Sequence, residues 1–302
     1  MNNMYELTDD QVNTFYHKGW IGPLDIFSYQ EVESVRKEIE AISQIELLDE
    51  QKILTFSHSD FGVKTAHNHH LYCKLLSDIF EDKRVVSRLN QLGEANLLLW
   101  RTSIFHRMPG QEGIDWHQAI QYYEDYPNIN ENDLFLLFPK GEKVLNITVW
   151  IALEDLTSEM GTLFFANGSH RQQFQSIEVS LGEGLLKEEK CDINLEAEPE
   201  SKRYSKVCQF NENEWEIESI PMVKAGQAII FTEQVMHSAP SNCSNKERWV
   251  IVGRYIRPSV IVHPQLQNNN YIDSYGCDLR KHFCILVSGS DNYKINKVVT
   301  RN

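Results

Sequence analysis

Two histidines in this chain have the type and spacing that can bind a metal ion. His117 lies at the start of a predicted strand, where side-chain alternation directs residues 117 and 119 to the same face. His237 comes 120 residues later, shortly after the strand-like run 228–231. Non-heme Fe(II) oxygenases hold their metal with two histidines and one carboxylate on one face. A single histidine is more often a packed or surface residue, so spacing alone leaves both interpretations open.

An arginine and a set of β-rich segments accompany these histidines. Arg248 lies eleven residues after His237 on another strand-like run, where its guanidinium can clamp a carboxylate bidentately. From Asn96 onward, short β-rich runs alternate with turns at Gly, Pro and Asn, which predicts a β-sandwich or barrel. The runs cover residues 97–105, 146–153, 162–166, 228–232 and 248–255.

The part of the chain before residue 96 is predicted to be mostly helical. Thr8 and Ser28 each begin a capping-box pattern that leads into apolar residues at helical spacing. The first helix is expected over about residues 9–18, ending at Gly19. We expect a single domain over 1–302, with a helical part at 1–95, a β core at 96–265, a polar insertion at about 171–223 and an extension at 266–302.

The composition excludes several classes of partner. The 302 residues include 29 Lys and Arg against 43 Asp and Glu, a net charge of −14, which repels nucleic acid and anionic lipid. No leader-like start and no run near the ~18 apolar residues of a membrane span are present, so we expect a cytoplasmic protein. The six scattered cysteines form no CxxC pair and are expected to be reduced thiols. The histidines at 67, 69 and 70 are expected to be solvated.

Several ordered motifs together resemble the phytanoyl-CoA dioxygenase superfamily of Fe(II)/2-oxoglutarate enzymes. The resemblance spans roughly residues 5–265, and within the superfamily it is strongest to the syringomycin-type chlorinating enzymes of nonribosomal peptide pathways. The motifs that carry it are Trp100-Arg101-Thr102, Asp115-Trp116-His117-Gln118-Ala119, Asn146 to Trp150, Gly161 to His170, His237, Arg248 and Arg254-Tyr255.

The resemblance implies a fold and a set of ligands. The implied fold is mainly β, a double-stranded β-helix (jelly roll, cupin-like) with flanking N-terminal helices. His117 and His237 would bind Fe(II), and Arg248 would pair with the distal carboxylate of 2-oxoglutarate. Thr148 and Trp150, two residues apart on one strand face, match positions that donate hydrogen bonds to this cosubstrate. Dioxygen is the implied co-reactant.

Ala119 stands where a hydroxylase of this superfamily carries its metal-binding carboxylate. A methyl group cannot coordinate iron, so one interpretation is an inactive site. The other is a halogenase, because a chloride ion would replace both the missing ligand and its negative charge. Two histidines, two atoms of 2-oxoglutarate, one chloride and one oxygen complete six-coordination. Asp115, also two residues from His117, is a third possibility as a substitute ligand.

The residues expected around the halide match the syringomycin-type enzymes less closely than the iron and cosubstrate residues do. Arg254 is the candidate cation near the halide, but Ser103 and Glu124 replace a glutamate and an asparagine of the syringomycin-type enzymes. The resemblance implies chlorination of an unactivated aliphatic carbon of an amino acid in natural-product biosynthesis. That amino acid would be bound to an aminoacyl carrier protein or be a free small molecule. The alternatives are an Fe(II)/2-oxoglutarate hydroxylase and a catalytically silent binding module.

Overall fold

The computed structural model describes residues 5–44, 57–58, 64–65, 68–71, 73–118, 134–142, 144–180, 204–269, 271 and 279–300. The α-helices in these residues are α1 (Asp9–Lys18), α2 (Tyr29–Gln44), α3 (Lys74–Glu81) and α4 (Lys83–Gln91). The longer strands are β1 (Trp20–Asp25), β4 (Leu97–Arg107), β5 (Ile114–His117), β7 (Asn146–Ala152), β10 (Ser176–Ser180), β11 (Tyr204–Cys208), β14 (Gln227–Thr232), β16 (Arg248–Ile256) and β18 (Cys284–Ser288).

The remaining strands in the described residues are short. They are β2 (Ser57–His58), β3 (Lys64–Thr65), β6 (Leu136–Leu137), β8 (Leu156–Thr157), β9 (Phe164–Ala166), β12 (Ile217–Ser219), β13 (Met222–Val223), β15 (His237–Ala239), β17 (Ile261–Val262) and β19 (Val298–Val299).

The N-terminal helices begin where the capping patterns predict. The Thr8 side chain accepts a hydrogen bond from the Gln11 backbone, while the Gln11 side chain accepts one from the Thr8 backbone. This reciprocal cap is worth about 1 kcal/mol. Helix α1 ends at Gly19, whose φ of 90° suits a residue without a Cβ. The predicted first helix is therefore confirmed at both ends.

Two antiparallel sheets form the body of the protein. The large sheet has the order β1-β14-β7-β16-β4-β18-β19, with a parallel pairing only between its last two strands. The small sheet has the order β12-β9-β15-β5. One face of the large sheet packs on the helices, and the other face packs on the small sheet. This mainly β architecture with flanking helices confirms the predicted fold class.

Strand β7 shows how the sequence builds both layers. Ile147, Val149 and Ile151 pack in the apolar cluster that includes the helices. Trp150 and Ala152 pack in the cluster between the two sheets. Because side chains alternate along a strand, a strand buried on both faces has to be apolar almost throughout. Polar residues that face the space between the sheets therefore need a specific reason to be there.

The structure also places segments whose sequence signals are weak. Within the predicted insertion, β10 pairs with β11, and β12 adds a strand to the small sheet by pairing with β9. Within the predicted extension, β18 pairs with β4 in the large sheet. Of the described helices, none has the length and apolarity to cross a membrane.

Two smaller expectations are wrong. His69 and His70 lie in a buried 3₁₀ turn rather than in solvent, since their exposed fractions are 2% and 0%. The His70 ring contacts the hydroxyl of Thr102 on β4 at 2.9 Å. Cys243 is disulfide-bonded, whereas the buried Cys73, Cys208 and Cys284 are free thiols.

Candidate active site

His117 and His237 face each other across the small sheet. The two residues are directly paired between β5 and β15, and their ring centroids are 4.2 Å apart. His237 is buried and His117 is half-buried. Gly113 allows the two strands to approach, because an added Cβ there would lie 2.4 Å from the carbonyl oxygen of Ala239. The local sequence thus brings two imidazoles to one place from residues 120 positions apart.

Gln118 holds the end of strand β5 in place. Its amide nitrogen donates to the carbonyl oxygens of Gln172 and Gln234, and its amide oxygen accepts from the backbone of Phe174. Gln118 is buried, so these three bonds satisfy a polar group that would otherwise be costly. Through Gln234, the strand that carries His117 is tied to the segment that leads into His237.

Both histidines are held in the form that binds a metal. The Nδ1 of His117 donates to the carbonyl oxygen of Asp115, and that of His237 donates to the carbonyl oxygen of Val235, each at 2.8 Å. These bonds fix the tautomer and leave the lone pair of each Nε2 atom available to a metal ion. Desolvation, followed by the neighbouring His237, lowers the pKa of His117 to about 3. Desolvation lowers the pKa of His237 to about 4.

The third position of the site has no protein ligand among the described residues. The side chain of Asp115 is exposed, and only its backbone carbonyl serves His117. Within the described parts of the chain, no group of three or more His, Cys, Asp or Glu side chains is arranged to hold a metal. Ala119 and Glu124 lie outside the described residues. The described geometry thus brings two imidazoles together without a neighbouring carboxylate that could act as a third ligand.

Arg248 lies at the start of β16, on the face of the large sheet that packs on the small sheet. It is 2% exposed, and its Nε and Nη1 atoms have no hydrogen-bond acceptor among the described residues. The guanidinium lies 5.6 Å from the ring centroid of Trp150. Burial, and then the cation of Arg107, lower the pKa of Arg248 well below its ordinary value. A buried fork of this kind fits a carboxylate such as that of 2-oxoglutarate.

Arg254 and Thr148 meet at a carboxylate that the sequence analysis missed. Thr148 donates to Oε1 of Glu233, and Arg254 Nε donates to the same oxygen at 3.1 Å. Arg254 Nη1 also donates to the hydroxyl of Ser103 at 3.0 Å. Thr148 therefore donates its hydroxyl hydrogen to Glu233 in this structure, and its contact with a cosubstrate stays a prediction. The negative charge of Glu233 also acts on His117, where it raises the pKa and partly offsets the lowering by burial.

The position of Glu233 in the sequence could have marked it as a candidate site residue. It follows directly after the apolar strand β14 and precedes His237 by four residues. Its side chain is 3% exposed, and such a carboxylate is rarely buried unless it is paired. An acidic residue between a buried strand and a candidate metal ligand could have been singled out on that ground.

A comparison with protein families agrees with this geometry. The phytanoyl-CoA dioxygenase (PhyH) family matches residues 15–250. The chain belongs to this family. It is therefore an oxygenase of the iron- and 2-oxoglutarate-dependent kind.

The proteins that are similar to this chain are named for different reactions. The methylphosphonate hydroxylase of Gimesia maris is 22% identical over 97% of this chain and 94% of its own length. The ectoine dioxygenase of Nocardia farcinica is 24% identical over 78% of this chain and 74% of its own. A solved structure, CytC3 with Fe(II) and alpha-ketoglutarate, has a TM-score of 0.69 at 22% identity and covers 98% of this chain and 94% of that one.

Proposed function

We propose that this protein is an Fe(II)/2-oxoglutarate-dependent halogenase that chlorinates an unactivated aliphatic carbon. The observation that carries the proposal is a two-histidine site, His117 and His237, with alanine at position 119 in place of the usual carboxylate. Asp115 does not replace it, because that side chain is exposed. An open coordination position with one negative charge missing is suited to a halide ion.

The residues present fit both iron and 2-oxoglutarate. Nε2 of His117 and of His237 would bind Fe(II), and Arg248 would hold the distal carboxylate of the cosubstrate. Iron and 2-oxoglutarate together supply the oxidising chemistry that removes a hydrogen atom from an aliphatic carbon. The protein orients these groups, and the apolar cluster between the sheets keeps water away from them.

The choice of chloride over hydroxide would depend on placement. A substrate carbon has to lie nearer to the halide than to the oxygen for chlorine to be transferred. A buried anion also needs a positive or hydrogen-bonding neighbour. Arg254 is the candidate, held at its position by Glu233 and Ser103. We propose an amino acid as substrate, either free or bound to an aminoacyl carrier protein in natural-product biosynthesis.

Hydroxylation is the second candidate function. Two curated relatives are named as a hydroxylase and a dioxygenase, and the Glu233 carboxylate lies near the site. A hydroxylase would turn over without halide.

Chloride titration tests the proposal without any substrate. We expect Fe(II) and 2-oxoglutarate, added without oxygen, to give a visible metal-to-cosubstrate charge-transfer band. Chloride should shift or strengthen this band and tighten 2-oxoglutarate binding by linkage. A band that is indifferent to chloride would favour the hydroxylase, and the absence of any band would contradict both candidate functions.

Two substitutions at one position sharpen this test. Ala119→Asp should restore a carboxylate ligand, and chloride should then lose its effect on the band. Ala119→Gly is the matched control, since it leaves the position open and should keep the chloride response. If the Asp variant responded to chloride as the parent does, the coordination proposed here would be wrong.

A further inference from the structure

A second buried arginine lies beside Arg248. Arg107 ends strand β4 and is directly paired with Arg248 at the start of β16. The two residues are 4% and 2% exposed. Because directly paired residues present their side chains on the same face of a sheet, both side chains belong to the face that packs on the small sheet. An arginine is almost never buried to this extent without a partner for its charge.

Arg107 is held in place by the loop that follows His237. Its Nη1 atom donates to the carbonyl oxygens of Ala239 at 3.2 Å and of Pro240 at 2.7 Å. Gly161 closes the space beside this atom, because an added Cβ at Gly161 would lie 3.2 Å from it. The two carbonyl groups fix the position of the guanidinium, but they are neutral and do not cancel its charge. Arg107 is therefore a fixed cation at the edge of the space between the sheets.

The two arginines are not neutralised by an ion pair among the described residues. Burial lowers the pKa of Arg107 to about 10, so this residue stays protonated at neutral pH. Glu154 acts on Arg248, but its two carboxylate oxygens accept hydrogen bonds from the backbone of Trp249 and from Arg36. The charge of Arg107 contributes to the lowering of the pKa of Arg248. The two guanidinium charges thus repel each other in the free protein.

A bound anion would compensate this repulsion. The Nε and Nη1 atoms of Arg248 have no acceptor among the described residues, so they can donate to a carboxylate. A carboxylate on Arg248 would also be attracted by the charge of Arg107, and burial of both arginines leaves this attraction largely unscreened by salt. A ligand that ends in an uncharged group would leave the repulsion in place.

We infer that Arg107 determines cosubstrate specificity, by adding a second positive charge that favours a 2-oxo acid with a distal carboxylate. Arg248 donates to that carboxylate, while Arg107 acts through its charge. This inference rests on the proposed cosubstrate site at Arg248 and deepens it. It does not depend on whether chloride or hydroxide is transferred to the substrate.

Two substitutions at position 107 isolate the effect of charge. Arg107→Lys and Arg107→Met both remove the planar fork, but only the methionine removes the positive charge. Binding of 2-oxoglutarate is read from the charge-transfer band of the full chain with Fe(II), without oxygen and at constant chloride. We expect the Met variant to bind 2-oxoglutarate roughly tenfold or more weakly than the Lys variant. Arg107→Gln, which keeps an N–H donor for the Pro240 carbonyl, should behave as Met does and replaces it if that variant fails to fold.

Two further measurements distinguish this charge effect from a structural one. Fe(II) affinity without cosubstrate should be equal in the Lys and Met variants, because both lose the same fork beside the loop after His237. The ligand 2-oxopentanoate carries a methyl group in place of the distal carboxylate of 2-oxoglutarate. Its affinity should differ by less than about twofold between the two variants.

Arg88 on helix α4 is the matched control outside the site. It is 8% exposed and donates to the backbone carbonyl oxygens of Arg84 and Asp25. Burial, and then the charge of Arg84, lower its pKa. Arg88→Lys and Arg88→Met should bind 2-oxoglutarate equally. A difference as large as that at Arg107 would mean that net charge alone is responsible, and it would overturn the inference.

The remaining outcomes separate this inference from the proposed function. Equal 2-oxoglutarate binding by the Lys and Met variants of Arg107, or an equal loss for 2-oxopentanoate, would overturn the role of Arg107. Unchanged 2-oxoglutarate binding in Arg248→Met would overturn the cosubstrate site itself. The expected difference at Arg107 without any chloride response would overturn the halogenase and support the role of Arg107.

Discussion

Glu233 places a negative charge beside the cation that a halide would need. Its Oε1 atom accepts from both Thr148 and Arg254, so glutamine at this position can accept the same two bonds without the charge. Two like charges a few ångströms apart in a buried site repel by on the order of 1 kcal/mol or more. We therefore expect Glu233→Gln to tighten chloride binding by about tenfold, measured as the midpoint of the charge-transfer titration.

A glutamate elsewhere provides the matched control. Glu94 is also largely buried and also accepts from an arginine, Arg257, at 2.6 Å. Glu94→Gln should leave the chloride midpoint unchanged. Weaker chloride binding in Glu233→Gln would mean that the carboxylate acts by holding Arg254 in position and not by repelling the halide.

Strands β5 and β15 determine the distance between the two histidines. A Cβ at Gly113 would lie within 2.4 to 2.7 Å of backbone atoms of Ala239, Pro240 and Ser241, which cannot move as a flexible side chain would. Gly113→Ala should push β5 away from β15 and separate His117 from His237. Since a ligand displaced by a few tenths of an ångström binds metal poorly, we expect Fe(II) affinity to fall tenfold or more in an anaerobic titration.

A glycine in open space controls for the substitution itself. Gly141 has a φ of 82° and nothing within 4 Å of an added Cβ, so Gly141→Ala adds backbone strain but no clash. That variant should lose about 1 to 2 kcal/mol of stability and keep its Fe(II) affinity. An equal loss of Fe(II) affinity in both variants would show that general destabilisation, and not strand spacing, is responsible.

Local patterns in the sequence predict individual helices and strands. They also predict which site residues share a face when those residues lie on one strand. The capping box at Thr8 gives the start of α1 because its bonds span three residues. Alternation within β7 gives the shared face of Thr148 and Trp150. Pairing between distant strands cannot be predicted in this way. Arg101 on β4 lies opposite Arg254 on β16 because of a strand register that no local pattern contains.

The missed residues are those whose environment is assembled from far along the chain. His263 and His282 become buried because the chain after β16 folds back over β4, where His282 bonds to the Trp100 carbonyl. His70 is likewise buried by contact with Thr102, 32 residues away. Such burial is a tertiary property, so a histidine in a weakly patterned segment looks solvated in the sequence alone.

At the scale of the whole molecule, buried neutral histidines make stability sensitive to acid. Burial lowers the pKa of His282 to about 4, and it lowers the pKa of His263 well below its ordinary value. An unfolded histidine has a pKa near ~6.5, so between about pH 6.5 and 4 the unfolded chain binds more protons than the folded one. The contribution is complete above the unfolded pKa and is lost as pH falls toward the folded value.

We therefore expect the free energy of unfolding of the metal-free protein, measured by urea denaturation, to fall as pH drops from about 6.5 to 4. Each such histidine contributes up to ~1.4 kcal/mol per pH unit. His282→Gln keeps an N–H for the Trp100 carbonyl but cannot titrate, so its slope should be smaller by up to one proton. The net charge of −14 opposes this trend, because acid relieves self-repulsion. Identical slopes for the parent and His282→Gln would mean that this histidine takes up its proton equally in both states.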